Sequence, residues 1–377
     1  LTRRSFVGLA GGATGAYFAG LPGMNLFANG VVGLDKNTDL SEGHKSVWWQ
    51  DRLPRIYHPN MRSFEGVNLD VRVFVRDCAA THCEAIVMSA GGIWAFYQTK
   101  VDHHVISPSI GTRDLLAEVV DEARVQGLKV IARVDFRKAR PALYDLHPDW
   151  FQLDDNEQVV REGEYYATTP LGGYQNEAFA IPVMEELLND YGVDGIHLNA
   201  LGFRGIYRDK RTLQAYEGSR SDFMKWREQM AAKQIIGFRE AIHRCNPEAL
   251  LMGELAGIHS VGWAERRGWN PKLLARGYTN LLNTSGRIDS VHESRWWPGL
   301  SAKLITAANA DGTPLINLKM QHRQYGFLDF LISPALYKLN AYQSIANGAG
   351  LKTPTLGLIG NKDDPRTSPV LAEIFGF

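Results

Sequence analysis

The sequence predicts an α/β protein folded as a (β/α)8 TIM barrel. Short apolar runs alternate with amphipathic helical stretches over roughly 280 residues, as successive β–α units require. The runs are nearly continuous in apolar residues, as expected of parallel strands covered on both faces. No glycine-rich phosphate loop follows an early strand, so the closed barrel is favoured over its alternative, an open doubly wound sheet.

The elements follow in order. From Asp39 to Pro59 the chain reads as irregular, with an aromatic pair at Trp48-Trp49. Val71 to Ala80 reads as a helix, and Glu84 to Gly92 as a buried strand ending in glycines. Thr112 is placed to cap the next helix, with Asp114 in its first turn; Leu115, Leu116, Val119, Val120 and Ala123 form its apolar face, and Gly127 ends it. Leu128 to Phe136 is the second strand. A helix from about Glu177 to Tyr191 leads to a strand over Val193 to Asn199. Ser221 caps a long helix reaching Arg244, and Ala249 to Leu255 is a strand. Ile288 to Trp296 and Pro314 to Gln321 are further strands, and a helix over Leu336 to Asn347 precedes the last one.

The first thirty residues read as an export signal rather than fold. Arg3-Arg4 precedes a short, weakly apolar run to Leu21, and Thr2, Arg3, Arg4 and Phe6 match the positions of a twin-arginine signal. The run is too short and glycine-rich for a stable membrane span. The expected organisation is therefore a signal over 1–30, an irregular segment over 31–64 and a barrel over 65–377. The expected location is periplasmic or extracellular in a bacterium.

Composition narrows the function. The 41 Lys and Arg balance the 41 Asp and Glu, so the basic excess of a nucleic-acid binder is missing. The three cysteines give no disulfide framework and no zinc spacing; Cys78 and Cys83 are a pair or two buried thiols. No cofactor is called for. The expected partner is an oligosaccharide or glycoside, and a homo-oligomer remains open.

Barrels of this kind carry their chemistry where strands end. Glu254 closes an apolar strand, where desolvation favours the protonated form that a general acid for a glycosidic oxygen needs. Asp135 closes the second strand, either facing the mouth or bridging to Arg133. In Val193 to Asn199, Ile196 and Leu198 point to one side, while His197 and Asn199 point to the other and reach the mouth. Asp194 opens that strand as a structural carboxylate. Trp94, His103 and His104 lie in the loop after the first strand, while Glu293, Trp296 and His322 follow late strands; all are candidate sugar contacts. A metal-dependent hydrolase rests only on histidines in loops.

Several segments together resemble a family. They are His103 to Pro108, Asp114 to Leu116, Lys129 to Phe136, His147 to Phe151, Glu164 to Thr168, Tyr191 to Asn199 and Ile345 to Gly350. The chain resembles the glycoside-hydrolase-like barrels found upstream of a β-galactosidase-type trimerisation domain, a group that includes bacterial α-L-fucosidases and lies near the A4-type β-galactosidases. The resemblance implies an exo-acting glycoside hydrolase. One departure matters: Asn199 stands where related retaining enzymes carry a nucleophilic aspartate. Glycoside hydrolysis ordinarily needs two carboxyl groups. With Glu254 as one, the second is Asp135, Glu293 or Asp102. Failing those, the substrate assists itself or the barrel binds sugar without cleaving it.

Overall fold

A computed structural model describes residues 47–377, apart from 51, 62–64, 217, 219–221, 257–260, 285–294, 310–311, 321–331 and 360–364. All belong to the unit Ser46–Phe377. The expected export signal, Glu293 and His322 lie outside the described residues.

The barrel is closed by eight parallel strands. The first half comprises β1 (Arg55–Asn60), α1 (Val71–Ala79), β2 (Ala85–Gly92), α2 (Leu115–Val125) and β3 (Lys129–Asp135). An excursion follows with three short antiparallel strands, β4 (Lys138–Ala139), β5 (Arg161–Glu162) and β6 (Tyr165–Ala167), ordered β4-β6-β5. The ring resumes with α3 (Ala180–Asn189), β7 (Gly195–Leu198), α4 (Lys210–Ala215), α5 (Phe223–Cys245) and β8 (Leu250–Ala256). It continues through α6 (Val261–Arg267), α7 (Pro271–Leu274), β9 (Asn280–Thr284), α8 (Trp297–Ala308) and β10 (Leu315–Asn317). It ends with α9 (Pro334–Ala346), β11 (Gly350–Leu356) and α10 (Thr367–Gly376). Ring order is β1-β11-β10-β9-β8-β7-β3-β2, and β1 pairs with both β11 and β2.

Strand periodicity sorts the core into two sets. Residues facing the helices, among them Tyr57, Ile86, Val130, Ile196, Leu251 and Leu351, join the large outer core. The alternate residues Ile56, Val87, Ile131, Leu250, Met252 and Leu315 pack inside the ring. Trp49 closes this inner cluster, its Nε1 donating to the Glu248 carbonyl at 3.1 Å. Burying each large apolar side chain stabilises the fold by about 1.5–3 kcal/mol. Two residues further along each strand the same inward parity gives His58, Arg133, His197, Glu254 and Asn317. The ring is therefore apolar near the strand starts and polar near their C-terminal ends.

Four local expectations need correction. The segment 31–64, read as irregular, contains β1, which closes the ring. Its inward His58 broke the apolar run that marks the other strands. The strand expected over Ile288 to Trp296 falls mostly outside the described residues; β9 of the ring occupies Asn280–Thr284, and Trp296 is the N-cap of α8, where Pro298 favours a helical first turn. The α2 cap is Asp114 rather than Thr112, its carboxylate accepting from the Ala117 amide at 3.1 Å. The α5 cap is Asp222 rather than Ser221. Asp194 takes the structural role expected of it, accepting from the Val130 amide at 2.9 Å and Lys129 Nζ at 2.8 Å. Cys78 and Cys83 are buried free thiols.

One glycine ties the fold to the mouth. Gly92 ends β2 with φ +104°, and a Cβ there would lie 2.2 Å from the Asp135 carbonyl oxygen. Gly92→Ala adds this overlap to a left-handed backbone penalty. It is expected to cost on the order of 3 kcal/mol, read as a lowered urea midpoint with unchanged slope.

Candidate active site

Asp135 sits at the end of β3, only 7% exposed. Its carboxylate is held on two sides. Arg137 Nε donates to both oxygens at 2.9 Å, and the Arg137 amide reaches Oδ1 at 3.3 Å. Asn199 Nδ2 donates to Oδ2 at 2.7 Å. The bridge to Arg133 considered from sequence is thus made by Arg137 instead. Asn199 follows β7 directly, its amide donating to the Val134 carbonyl at 3.0 Å, and the next residue, Ala200, has φ 41°.

Glu254 lies on β8 across His197. The His197 Nε2 to Glu254 Oε2 separation is 4.0 Å, and Asn317 Nδ2 donates to Oε1 at 3.2 Å. Beyond Asn317, Lys352 Nζ on β11 donates to Asn317 Oδ1 at 3.4 Å. The His58 ring packs edge-on against His197 with centroids 5.6 Å apart. The lone acid in apolar surroundings expected from sequence is therefore a carboxylate amid donors and cations, with both Lys352 and Arg133 in its electrostatic reach.

Burial sets the charge states of these neighbours. It pushes Lys352 down to about 7, with Glu254 pulling the other way and Arg133 and Lys319 adding to the fall. Burial, then the charge of Lys352, holds His58 and His197 well below the usual histidine range. Arg133 links the two carboxylates: desolvation lowers its basicity, while Asp135 first and Glu254 second oppose that fall.

The structure thus brings Asp135, Asn199, His197 and Glu254 to one end of the ring. The other sequence candidates lie elsewhere or on the rim. Trp94 is on the rim, its Nε1 donating to Tyr165 Oη at 3.2 Å, with the Arg140 guanidinium 5.2 Å from its ring. His104 sits behind the end of β2 against Tyr97 and Phe179. Its Nε2 accepts from the Gly92 amide at 3.2 Å, and its Nδ1 lies 3.2 Å from Thr99 Oγ1. With both nitrogens engaged and only 5% exposure, it anchors the loop. Burial pushes it down to about 3. His103 is exposed, pairing with His147 at 3.3 Å beside Trp150. Trp296 is 74% exposed at the α8 cap. Asp102 is exposed in a turn.

Residues that sequence reasoning missed complete the mouth. Glu162 on β5 ion-pairs with Arg137 at 3.5 Å and with Arg204, which follows β7. Arg267 at the end of α6 donates to the Ala200 carbonyl at 3.2 Å, and Trp269 Nε1 to the Leu201 carbonyl at 2.6 Å. The buried Arg227 holds the carbonyls of Gly205, Glu265 and Arg266. A cleft of about 480 Å3 lined by Gln98, Asp114, Arg124 and Tyr191 lies along the outer helical layer, away from these groups. Among the described residues no three His, Cys, Asp or Glu converge as a metal site, and no helix is long and apolar enough to cross a membrane.

Comparison with known proteins places this geometry. A family model described as hypothetical glycosyl hydrolase 6 matches residues 70–200, which run from the cap of α1 past the end of β7. The chain is a (β/α)8 barrel, and its 70–200 segment is similar to that glycosyl-hydrolase family. It is similar in fold to α-L-fucosidase isoenzyme 2 from Paenibacillus thiaminolyticus, with TM-score 0.66, 18% identity, 86% of this chain covered and 49% of that one. It is also similar to the β-galactosidase of Bacillus circulans sp. alkalophilus, with TM-score 0.63, 11% identity and coverages of 86% and 56%. The β-galactosidase of Rahnella sp. R3 gives TM-score 0.65, 12% identity and coverages of 88% and 57%. This chain spans about half the length of these structures. No curated protein matches it.

Proposed function

We propose that this chain is an exported, exo-acting glycoside hydrolase, fucosidase- or galactosidase-like, with Glu254 as general acid/base and Asp135 as the second carboxylate. The observation that carries the proposal is the placement of two carboxylates at the C-terminal ends of β3 and β8, joined through the field of the half-buried Arg133. Glycosidic cleavage needs such a pair: one group exchanges a proton with the glycosidic oxygen, and the other assists water or attacks the anomeric carbon. Asn199 holds Asp135 in place and leaves its own carbonyl for a sugar hydroxyl. His197 lies 4.0 Å from Glu254 without a hydrogen bond to it, leaving a ring nitrogen for a sugar hydroxyl, and Trp94 offers an aromatic face on the rim. The fucosidase and galactosidase neighbours support the sugar class. The paired arginine near the N-terminus supports export.

One feature favours a second reading, a carbohydrate-binding barrel without catalysis. The Arg137 and Asn199 donors occupy much of the Asp135 carboxylate, and an amide holds the position where related enzymes keep their nucleophile.

Two assays separate these readings. Purified protein, freed of metal by chelation, is incubated with both anomers of aryl glycosides and with oligosaccharides; hydrolysis of at least one is expected. Binding without product release supports the second reading. Asn199→Asp gives opposite outcomes. In an enzyme it sets a second negative charge against Asp135 and slows turnover about tenfold; in a degenerate barrel it creates activity.

A further inference from the structure

The mouth carries more positive charge than the cleavage proposed above uses. Arg133, Arg137, Lys138, Arg204 and Arg267 act on one another electrostatically there. Among the described residues, the carboxylates that answer them are Asp135, Glu162 and Glu254. Lys352 and Lys319 add charge beside Glu254. The surplus is local, because Lys and Arg balance Asp and Glu over the whole chain.

The donors are also incompletely used. Arg133 Nε and Arg204 Nε are both buried without a hydrogen-bond partner. Such an N–H loses its hydration without recompense, so buried donors of this kind ordinarily meet an acceptor. Guanidinium N–H groups pair most strongly with carboxylate, sulfate or phosphate oxygens. Aromatic rings frame the same rim: Lys138 Nζ stands 4.6 Å from the centre of the Tyr165 ring, and that tyrosine receives the Trp94 hydrogen bond.

We propose that this mouth takes a saccharide bearing an anionic group, a uronate carboxylate or a sulfate ester, seated against the cluster of Arg133, Arg137, Arg204 and Arg267. This rests on the glycoside reading above and narrows its substrate to acidic glycans. The cluster's own repulsion supports it. Burial first, then the charges of Arg204 and Arg137, push Arg267 down to about 9, and Arg204 is lowered by burial and by Arg137. A bound anion relieves that repulsion, whereas a neutral sugar leaves it in place.

The test is calorimetric titration of the wild-type protein with three probes, each in both anomers. These are a 4-nitrophenyl galacturonide, the 6-sulfate of 4-nitrophenyl galactoside, and the uncharged galactoside. At about 50 mM salt one charged probe is expected to bind at least about tenfold tighter than the neutral one, and the gap narrows at about 300 mM. The tighter arm identifies carboxylate or sulfate. Arg267→Met and, independently, the rim variant Lys138→Met should each shrink the gap between charged and neutral probes severalfold. Equal or weaker binding of both charged probes, or no saturable binding of any probe to about 10 mM, overturns the proposal. Product release is followed in the same samples. Acidic binding without hydrolysis keeps this inference and removes the hydrolase reading; hydrolysis of the neutral probe alone does the reverse.

Discussion

Glu254→Gln is expected to reduce hydrolysis by about 10²–10⁴-fold, the range that general acid–base groups contribute. The amide keeps the size of the side chain and can still meet Asn317 Nδ2, which donates to Glu254 Oε1 at 3.2 Å. What it loses is the capacity to exchange a proton. The fall should therefore appear in kcat with little change in KM. Aryl glycosides with good leaving groups need less proton donation, so they should be slowed less than alkyl glycosides in a step where protonation limits. A variant as fast as wild type on every substrate assigns the chemistry to another group.

Stability should fall steeply on mild acidification. Three histidines in or beside the barrel wall, His58, His104 and His197, are held below their ordinary value near 6.5, all chiefly by burial. In the unfolded chain each takes up a proton as pH falls through that ordinary value. In the folded chain each remains neutral, His104 down to about 3. The unfolded state then binds more protons, so acid favours it. Each such histidine approaches a slope of about 1.4 kcal/mol per pH unit, or about 4 kcal/mol per unit for three. Against an ordinary stability of about 5–15 kcal/mol, this predicts unfolding within about one to four units below pH 6.5. Lys352 acts higher: between its ordinary value of 10.5 and its folded value of about 7, stability also falls as pH drops, and below 7 its cost is constant. Urea midpoints measured from pH 9 to pH 5 check this. A flat profile between pH 7 and 5 would show that these rings are not buried neutral.

Much of this site was legible because strands obey a period of two. Once Ile131 and Met252 are taken as inward-facing, Arg133 with Asp135 and Glu254 follow at the mouth, and His197 and Asn199 follow from Gly195. The same step from Ile56 and Leu315 gives His58 and Asn317, a signal present in the sequence but unused. It was obscured where a strand is short, as in β10, or carries a polar inward residue, as in β1 with His58, and where polar residues interrupt the apolar run, as in the sequence of β9. Arg137, Glu162, Arg204 and Arg267 were not legible at all. They meet across separations of 25 to 130 residues along the chain, because the β4–β6 excursion, the segment after β7 and the end of α6 come together at the mouth. No local pattern encodes such a meeting. Glu254 shows the converse difficulty: its position was readable, but its donors came from strands whose inward residues had not been assigned.

The central claim is that a saccharide sits at the C-terminal ends of these strands with its glycosidic oxygen against Glu254. A crystal structure of the Glu254→Gln protein, soaked with a substrate that wild type cleaves or a saccharide it binds, tests it most directly. The account predicts a glycosidic oxygen within about 3.2 Å of the substituted side chain, with sugar hydroxyls or an acidic group on Asn199 and the arginine cluster. Saccharide density confined to the outer cleft between α2 and α3, with the mouth filled only by solvent, would contradict it.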